Sequence, residues 1–278
     1  MRLWAVFILV FLPTAALPEE SIRLGIFGTV DRATPLVVAG QEIDVPAGVS
    51  VISVLGPGQE ITVGDTLAIA AVLLERRLTA LRILEVYPVV GPVSAVQGNT
   101  ATILGSPIHI PPDTEIKVGQ TFAISGLWSG EKAITSNLKR IEGRFAQLTG
   151  MVSPDMLKIG GSTLISAEPP VGGYGNDVWI LSGQPEMEGL RVRFMSKGIF
   201  GKPADLIWWQ GYASQPIASQ TFMIHGTGIT GAARDSQMPT PGALIARCVQ
   251  DGRIVKTPPK GLDLAFEALG CARHILAD

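Results

Sequence analysis

The chain has 278 residues, with 22 Lys and Arg against 24 Asp and Glu, a formal net charge of −2, and no run of basic side chains. Nucleic-acid binding draws on clustered Lys and Arg that displace counterions, so that class of partner is excluded. Only 17% of residues are charged while 32 are Gly and 20 are Pro, a composition that suits many short strands joined by tight turns.

Residues 1–16 read as a signal peptide. Arg2 gives a short basic start, residues 3–12 form an unbroken apolar run, Pro13 breaks any helix, and Thr14, Ala15 and Ala16 are small residues of the kind a signal peptidase accepts. The run is shorter than the roughly 20 apolar residues that span a bilayer, and no later stretch is apolar enough to do so. The expectation is an exported chain, periplasmic or secreted, with no membrane span once the signal is removed.

Residues 22–87 and 88–143 carry the same landmarks in the same order. Gly28-Thr29-Val30 is followed by Gly40-Gln41-Glu42-Ile43-Asp44-Val45, then Val63-Gly64-Asp65-Thr66-Leu67-Ala68-Ile69, then Arg82-Ile83. Gly91-Pro92-Val93, Gly105-Ser106-Pro107-Ile108-His109-Ile110, Val118-Gly119-Gln120-Thr121-Phe122-Ala123-Ile124 and Arg140-Ile141 repeat the series. Ala39-Gly40-Gln41 and Gly105-Ser106 each separate two short apolar runs, which predicts hairpins. Segments 63–69 and 118–124 open on a turn and then alternate as half-buried strands, and each unit closes on a strand, 78–84 and 134–141. A handful of short strands per unit is too few for a deep sandwich but can curl into a barrel, which removes exposed edges. In the first unit Val72-Leu73-Leu74-Glu75-Arg76-Arg77 stands where a Gly-containing hairpin is expected, which leaves the final hairpin of that unit open to question.

Residues 144–212 repeat the pattern faintly, through Gly150-Met151-Val152, Leu157-Lys158-Ile159-Gly160-Gly161 and Gly189-Leu190-Arg191-Val192, with Asp205-Leu206-Ile207-Trp208-Trp209 read as the closing strand. In residues 213–278, Gln220-Thr221-Phe222-Met223-Ile224 resembles Gln120-Thr121-Phe122-Ala123-Ile124, residues 243–248 read as a strand turning at Asp251-Gly252, and 262–276 has helical spacing. Cys248 and Cys271, an even pair in an exported chain, are expected to form a disulfide that ties this helix to the strand. The fold class is therefore mainly β: tandem small OB-like β-barrels with a short C-terminal helix.

The glycine and aliphatic landmarks of residues 25–142 resemble an exported bacterial repeat family catalogued as domain of unknown function 5666. The resemblance implies small β-barrels in tandem and a periplasmic or surface location, and it transfers no catalytic residue.

Candidate chemistry is sparse. Gly226-Thr227-Gly228-Ile229-Thr230-Gly231 fits a dinucleotide fingerprint with Asp251 where a ribose-binding acid would sit, but Pro239 and Pro241 forbid the helix that must follow, so it reads as a Gly-rich turn. His109, His225 and His274 are far apart and show no zinc spacing, and no Gly-x-Ser-x-Gly elbow is present. Glu168, Asp177, Glu186, Glu188 and Asp205 read as a solvated acidic surface, with a hydrolase site between residues 151 and 210 as the lesser reading. Trp208, Trp209 and Tyr212 form the one aromatic cluster. Neighbours on a strand face opposite sides, so one indole is expected at an inter-barrel or ligand contact. No catalytic residue, metal or cofactor is assigned. The expected function is an exported, non-enzymatic binding or scaffold protein of the cell envelope, its partner an envelope protein or glycan. The alternative is a glycan or small-molecule module using Trp208, Trp209 and Tyr212.

Overall fold

The computed structural model describes residues 22–112, 114–155, 157–165, 178–217, 220–234 and 238–272. Residues 1–16, read above as a signal peptide, and Glu168, Asp177 and His274 lie outside the described residues.

The first barrel is built from β1 (Arg23–Arg32), β2 (Leu36–Val38), β3 (Gln41–Asp44), β5 (Thr66–Leu74) and β6 (Arg77–Glu85), with the short β4 (Val51–Ile52) between β3 and β5. Strands β1, β2 and β3 form an antiparallel meander, and β3 runs parallel to β6. β6 pairs with β5, and β5 returns antiparallel to β1, so the circuit closes. β4 lies parallel to β6 outside that circuit. Closure leaves no free edge in that five-strand circuit.

The second barrel uses β7 (Val89–Gln97), β8 (Thr100–Ile103), β9 (Ser106–His109), β10 (Thr121–Ser129) and β11 (Lys132–Ile141) in the same order and closes in the same way. The third comprises β12 (Ala146–Gly150), β13 (Lys158–Ile159), β14 (Ser162–Ile165), β15 (Trp179–Glu186) and β16 (Gly189–Lys197). Here the first and second strands meet through the Ser153 N–H donating to Lys158 O at 2.8 Å rather than through a ladder. The fourth comprises β17 (Leu206–Tyr212), β18 (Thr221–Met223), β19 (Thr230–Ala232), β20 (Leu244–Gln250) and β21 (Arg253–Ile254). A single antiparallel bridge, Ala213 to Ile224, joins its first two strands.

The turns follow from local chemistry. Ala39-Gly40 and Leu104-Gly105 link their strands with both residues at positive φ, the geometry of a two-residue hairpin that matches strand twist. Glu75-Arg76 forms the same turn without glycine, at φ 47° and 64°, so the hairpin in question is made. Eight cross-strand pairs between β5 and β6 hold the two residues in this less favourable region.

Three elements differ from the sequence reading. Leu206–Tyr212 opens the fourth barrel instead of closing the third, pairing antiparallel with β20 and parallel with β1. The segment resembling Gln120–Ile124 forms a three-residue hairpin strand, β18, whereas its counterpart begins the nine-residue β10. The C-terminal helix α1 (Asp263–Ala268) is also shorter than its apolar spacing suggests. Gly270, at φ 64°, ends it: the Gly270 N–H donates to Glu267 O and the Cys271 N–H to Phe266 O, a Schellman stop.

The four barrels form a ring. Barrels 1 and 4 join through the parallel pairing of β1 with β17, and barrels 2 and 3 through β7 with β12. Thr66 Oγ1 of barrel 1 accepts the Gly126 N–H of barrel 2 at 2.8 Å, and the Met151 N–H, directly after β12 of barrel 3, donates to Gly226 O of barrel 4 at 2.8 Å. Gly25 and Gly28 on β1 let the neighbour approach: a Cβ at Gly28 would stand 2.8 Å from Gln210 Oε1, and one at Gly25 3.0 Å from the Phe200 ring. Helix α1 buries Ala265, Phe266 and Leu269 with Trp208 and Leu24 in a core shared by barrels 1 and 4. Cys248 on β20 is bonded to Cys271, with Cα atoms 5.6 Å apart, so the helix is tied to the strand. Closing a 23-residue separation contributes about 3 kcal/mol in the chain-entropy model.

Candidate functional site

All four barrels meet at Trp128 and Trp209. Trp128, near the end of β10, inserts its indole among three glycines of other barrels. Cβ atoms built at Gly160 and Gly226 would stand 2.2 and 2.4 Å from its ring carbons, and one at Gly150 2.9 Å from its Nε1. That nitrogen donates to Thr149 O at 2.8 Å. The fingerprint-like Gly226 is therefore a seat for an aromatic ring, and its φ of 72° shapes the turn that presents it. Around the same junction lies a cavity of about 30 Å³, bounded by Phe27, Leu127, Thr149, Trp209 and His225. It has room for little more than water. Burial lowers the pKa of His225.

Alternation on β17 sends the two neighbouring indoles to opposite sides. Trp208, 1% exposed, faces the core shared by barrels 1 and 4, where its Nε1 donates to Ala39 O at 2.8 Å. Trp209, 4% exposed, faces the junction and stacks at a tilt on Phe27, ring centroids 4.4 Å apart, with Phe200 edge-on at 6.2 Å. Its Nε1 is buried without a hydrogen-bond partner among the described residues. Tyr212 is half-buried on the same strand, its pKa raised by burial. Neither indole offers an open face on which a sugar ring could stack.

Trp209 does reach a surface groove of about 470 Å³. Residues 197–204, which lead from β16 to β17, form one wall, and Ile207 with the Asp251-Gly252 turn forms the other. The volume lies in the range of small-molecule sites. Its interior is apolar, from Val178, Ile199, Phe200 and Trp209, while Lys197, Lys202 and Asp251 supply charge. The 197–204 segment carries no motif; only the Gly198 and Gly201 turns, at φ 79° each, mark it in the sequence.

A buried ionic cluster joins barrels 1 and 2. Lys139 Nζ on β11 lies 3.1 Å from Asp65 Oδ2 and 2.5 Å from Glu85 Oε1, and Asn137 Nδ2 donates to Asp65 Oδ1 at 2.9 Å. Burial alone would lower the Lys139 pKa, but the bonds to Glu85 and Asp65 outweigh it and the net shift is upward. Burial, then Glu85, pushes the Tyr87 phenol far above its usual range. Neither Tyr87 Oη nor Glu85 Oε2 closes a hydrogen bond of standard geometry.

The remaining candidates are dispersed. His109 is half-buried on β9 and His225 is at the junction. Glu186 is paired with Arg191 at 2.8 Å, and Asp205 Oδ2 accepts the Arg23 N–H at 2.8 Å. The backbone of Glu188 packs against Gly105. Among the described residues no three His, Cys, Asp or Glu side chains converge as metal ligands, and no helix is long and apolar enough to cross a membrane. No protein-family model, no curated protein and no solved structure matches the chain.

Proposed function

We propose that this chain is an exported, non-enzymatic binding scaffold of the cell envelope, periplasmic or secreted, in which four small barrels hold the segment 197–204 as a contact surface for an envelope protein or glycan. The observation that carries the reading is the groove of about 470 Å³ between that segment and the fourth barrel, lined by apolar Val178, Ile199, Phe200 and Trp209 together with Lys197, Lys202 and Asp251. Binding residues concentrate on loops positioned by a rigid frame, and here strands β15, β16 and β17 fix both ends of the loop. Export is supported by the signal-like residues 1–16, by the Cys248–Cys271 disulfide and by the resemblance of residues 25–142 to domain of unknown function 5666. A scaffold role is further supported by Glu186 and Asp205, acids of the 151–210 region that are engaged with Arg191 and the Arg23 backbone.

The test is retention of envelope components by immobilised wild-type protein and by Ala204→Trp, which places a large ring at the groove wall. Components held by wild type and lost from a folded Ala204→Trp variant support the reading. Equal retention by both proteins overturns the groove as the contact surface.

A further inference from the structure

The 197–204 segment has a second groove on its other side. This one, of about 390 Å³, lies against barrel 1. Its apolar part includes Leu81, which is 56% exposed, together with Phe200 and Pro203. Its charged lining is Arg23, Arg82 and Lys202, with no acidic side chain among the lining residues. Arg82 is held in place: its Nη1 donates to Ile199 O at 3.0 Å, which sets the guanidinium beside Gly201. None of the three cations forms an ion pair among the described residues. The neighbouring acid, Asp205, accepts the Arg23 backbone N–H.

Three cations without an ion-pair partner among the described residues around one apolar concavity, with Asp205 turned to the Arg23 backbone, favour an anion among them. A guanidinium with one donor anchored presents its remaining N–H groups in a fixed fork that suits carboxylate or phosphate. An exposed leucine beside a half-buried phenylalanine supplies the surface for an apolar body.

We propose that this groove binds a single-chain amphiphilic anion free in solution, with a carboxylate or phosphate head at Arg23, Arg82 and Lys202 and an alkyl body along Leu81 and Phe200. The proposal rests on reading the 197–204 face as a binding face and adds the ligand class. A concave groove of this volume encloses a small molecule, whereas a flat bilayer surface would not enter it.

Calorimetric titration of the mature protein with decyl phosphate, decanol, decyltrimethylammonium and inorganic phosphate tests it, beside cosedimentation with anionic phospholipid vesicles. Decyl phosphate binds at one site, more tightly than the other three ligands, and binding weakens as salt is raised. The double variant Arg23→Glu with Lys202→Glu, which changes two exposed side chains and leaves the anchoring Arg82 in place, lowers the decyl phosphate affinity about tenfold or more. Should that variant fail to fold, the ligand discrimination of wild type decides alone. Equal affinity for decyl phosphate, decanol and decyltrimethylammonium overturns the anion class while leaving a binding face. No binding of any alkyl ligand overturns this inference, and retention that survives Ala204→Trp separately overturns the proposed contact surface. Cosedimentation with vesicles in the absence of decyl phosphate binding overturns the free-ligand form of the proposal.

Discussion

The indole of Trp128 lies so close to the Cα of Gly226 that a Cβ at that glycine would stand 2.4 Å from Trp128 Cδ1. One ring from barrel 2 thus fixes the position of a turn in barrel 4. Gly226→Ala adds a clash at a fully packed seat to the strain of φ 72°, and we predict a loss of about 2–4 kcal/mol in urea unfolding. Gly119→Ala meets nothing within 4 Å and carries only the strain of φ 86°, about 1 kcal/mol. Similar losses at the two positions would show that the Trp128 seat contributes nothing beyond backbone conformation.

The two adjacent tryptophans of β17 should respond differently to loss of the indole nitrogen. Trp208→Phe leaves the buried Ala39 carbonyl without its donor, whereas Trp209→Phe removes an N–H that has no partner. Both substitutions leave a similar void, so Trp208→Phe should cost about 1–3 kcal/mol more than Trp209→Phe. Chemical denaturation of the two variants measures that difference directly, and equal costs would refute it.

The Lys139 cluster predicts both a mutational and an alkaline effect. Lys139→Met strands Asp65 and Glu85 in the barrel 1–barrel 2 joint. The expected loss is about 2–4 kcal/mol, below that of a fully buried pair because the Lys139 side chain is 20% exposed. The raised pKa values of Lys139 and Tyr87 mean that folding favours the protonated forms of both. Their contribution is complete below the unfolded values of 10.5 and 10.0 and is lost as pH rises above them. Thermal melts from pH 9 upward should therefore fall, and tyrosinate absorbance should lag behind that of a free phenol.

His225 acts at the opposite end of the pH scale. Its pKa lies below the ordinary 6.5 because burial disfavours the cation, and the cavity it borders has no acidic side chain to offset that. The unfolded chain then binds the extra proton more readily. The stability this provides is present above about pH 6.5 and falls as pH drops through the folded value. His225→Gln should flatten the melting-temperature profile between pH 7 and 5, and an unchanged slope would contradict the assignment.

How much of this was legible depends on sequence distance. The hairpins around Gly40 and Gly105 could be read because a glycine between two apolar runs marks a turn, whereas the turn pairs themselves, Ala39-Gly40 and Leu104-Gly105, include a residue with no preference for positive φ. The fate of Leu206–Tyr212 could not, because its partners, β1 and β20, are chosen by packing across the ring. Apolar spacing alone overran the helix; Gly270, which stops it, was the signal to weigh. The seat of Trp128 has no local sequence signal, since Gly150, Gly160 and Gly226 are scattered along the chain. The near-continuous apolar run from Phe122 to Trp128 was the available clue, for a strand buried on both faces marks a junction. Residues 197–204 acquire their grooves only when barrels 1, 3 and 4 are assembled around them.

Hydrogen–deuterium exchange of the protein lacking residues 1–16, with and without saturating decyl phosphate, tests most directly the proposal that the groove between residues 197–204 and barrel 1 binds an amphiphilic anion. The account predicts slowed exchange confined to amides 198–204 and the neighbouring edges of β1 and β6. Protection elsewhere in the ring with residues 198–204 unchanged, or no protection at all, would contradict it.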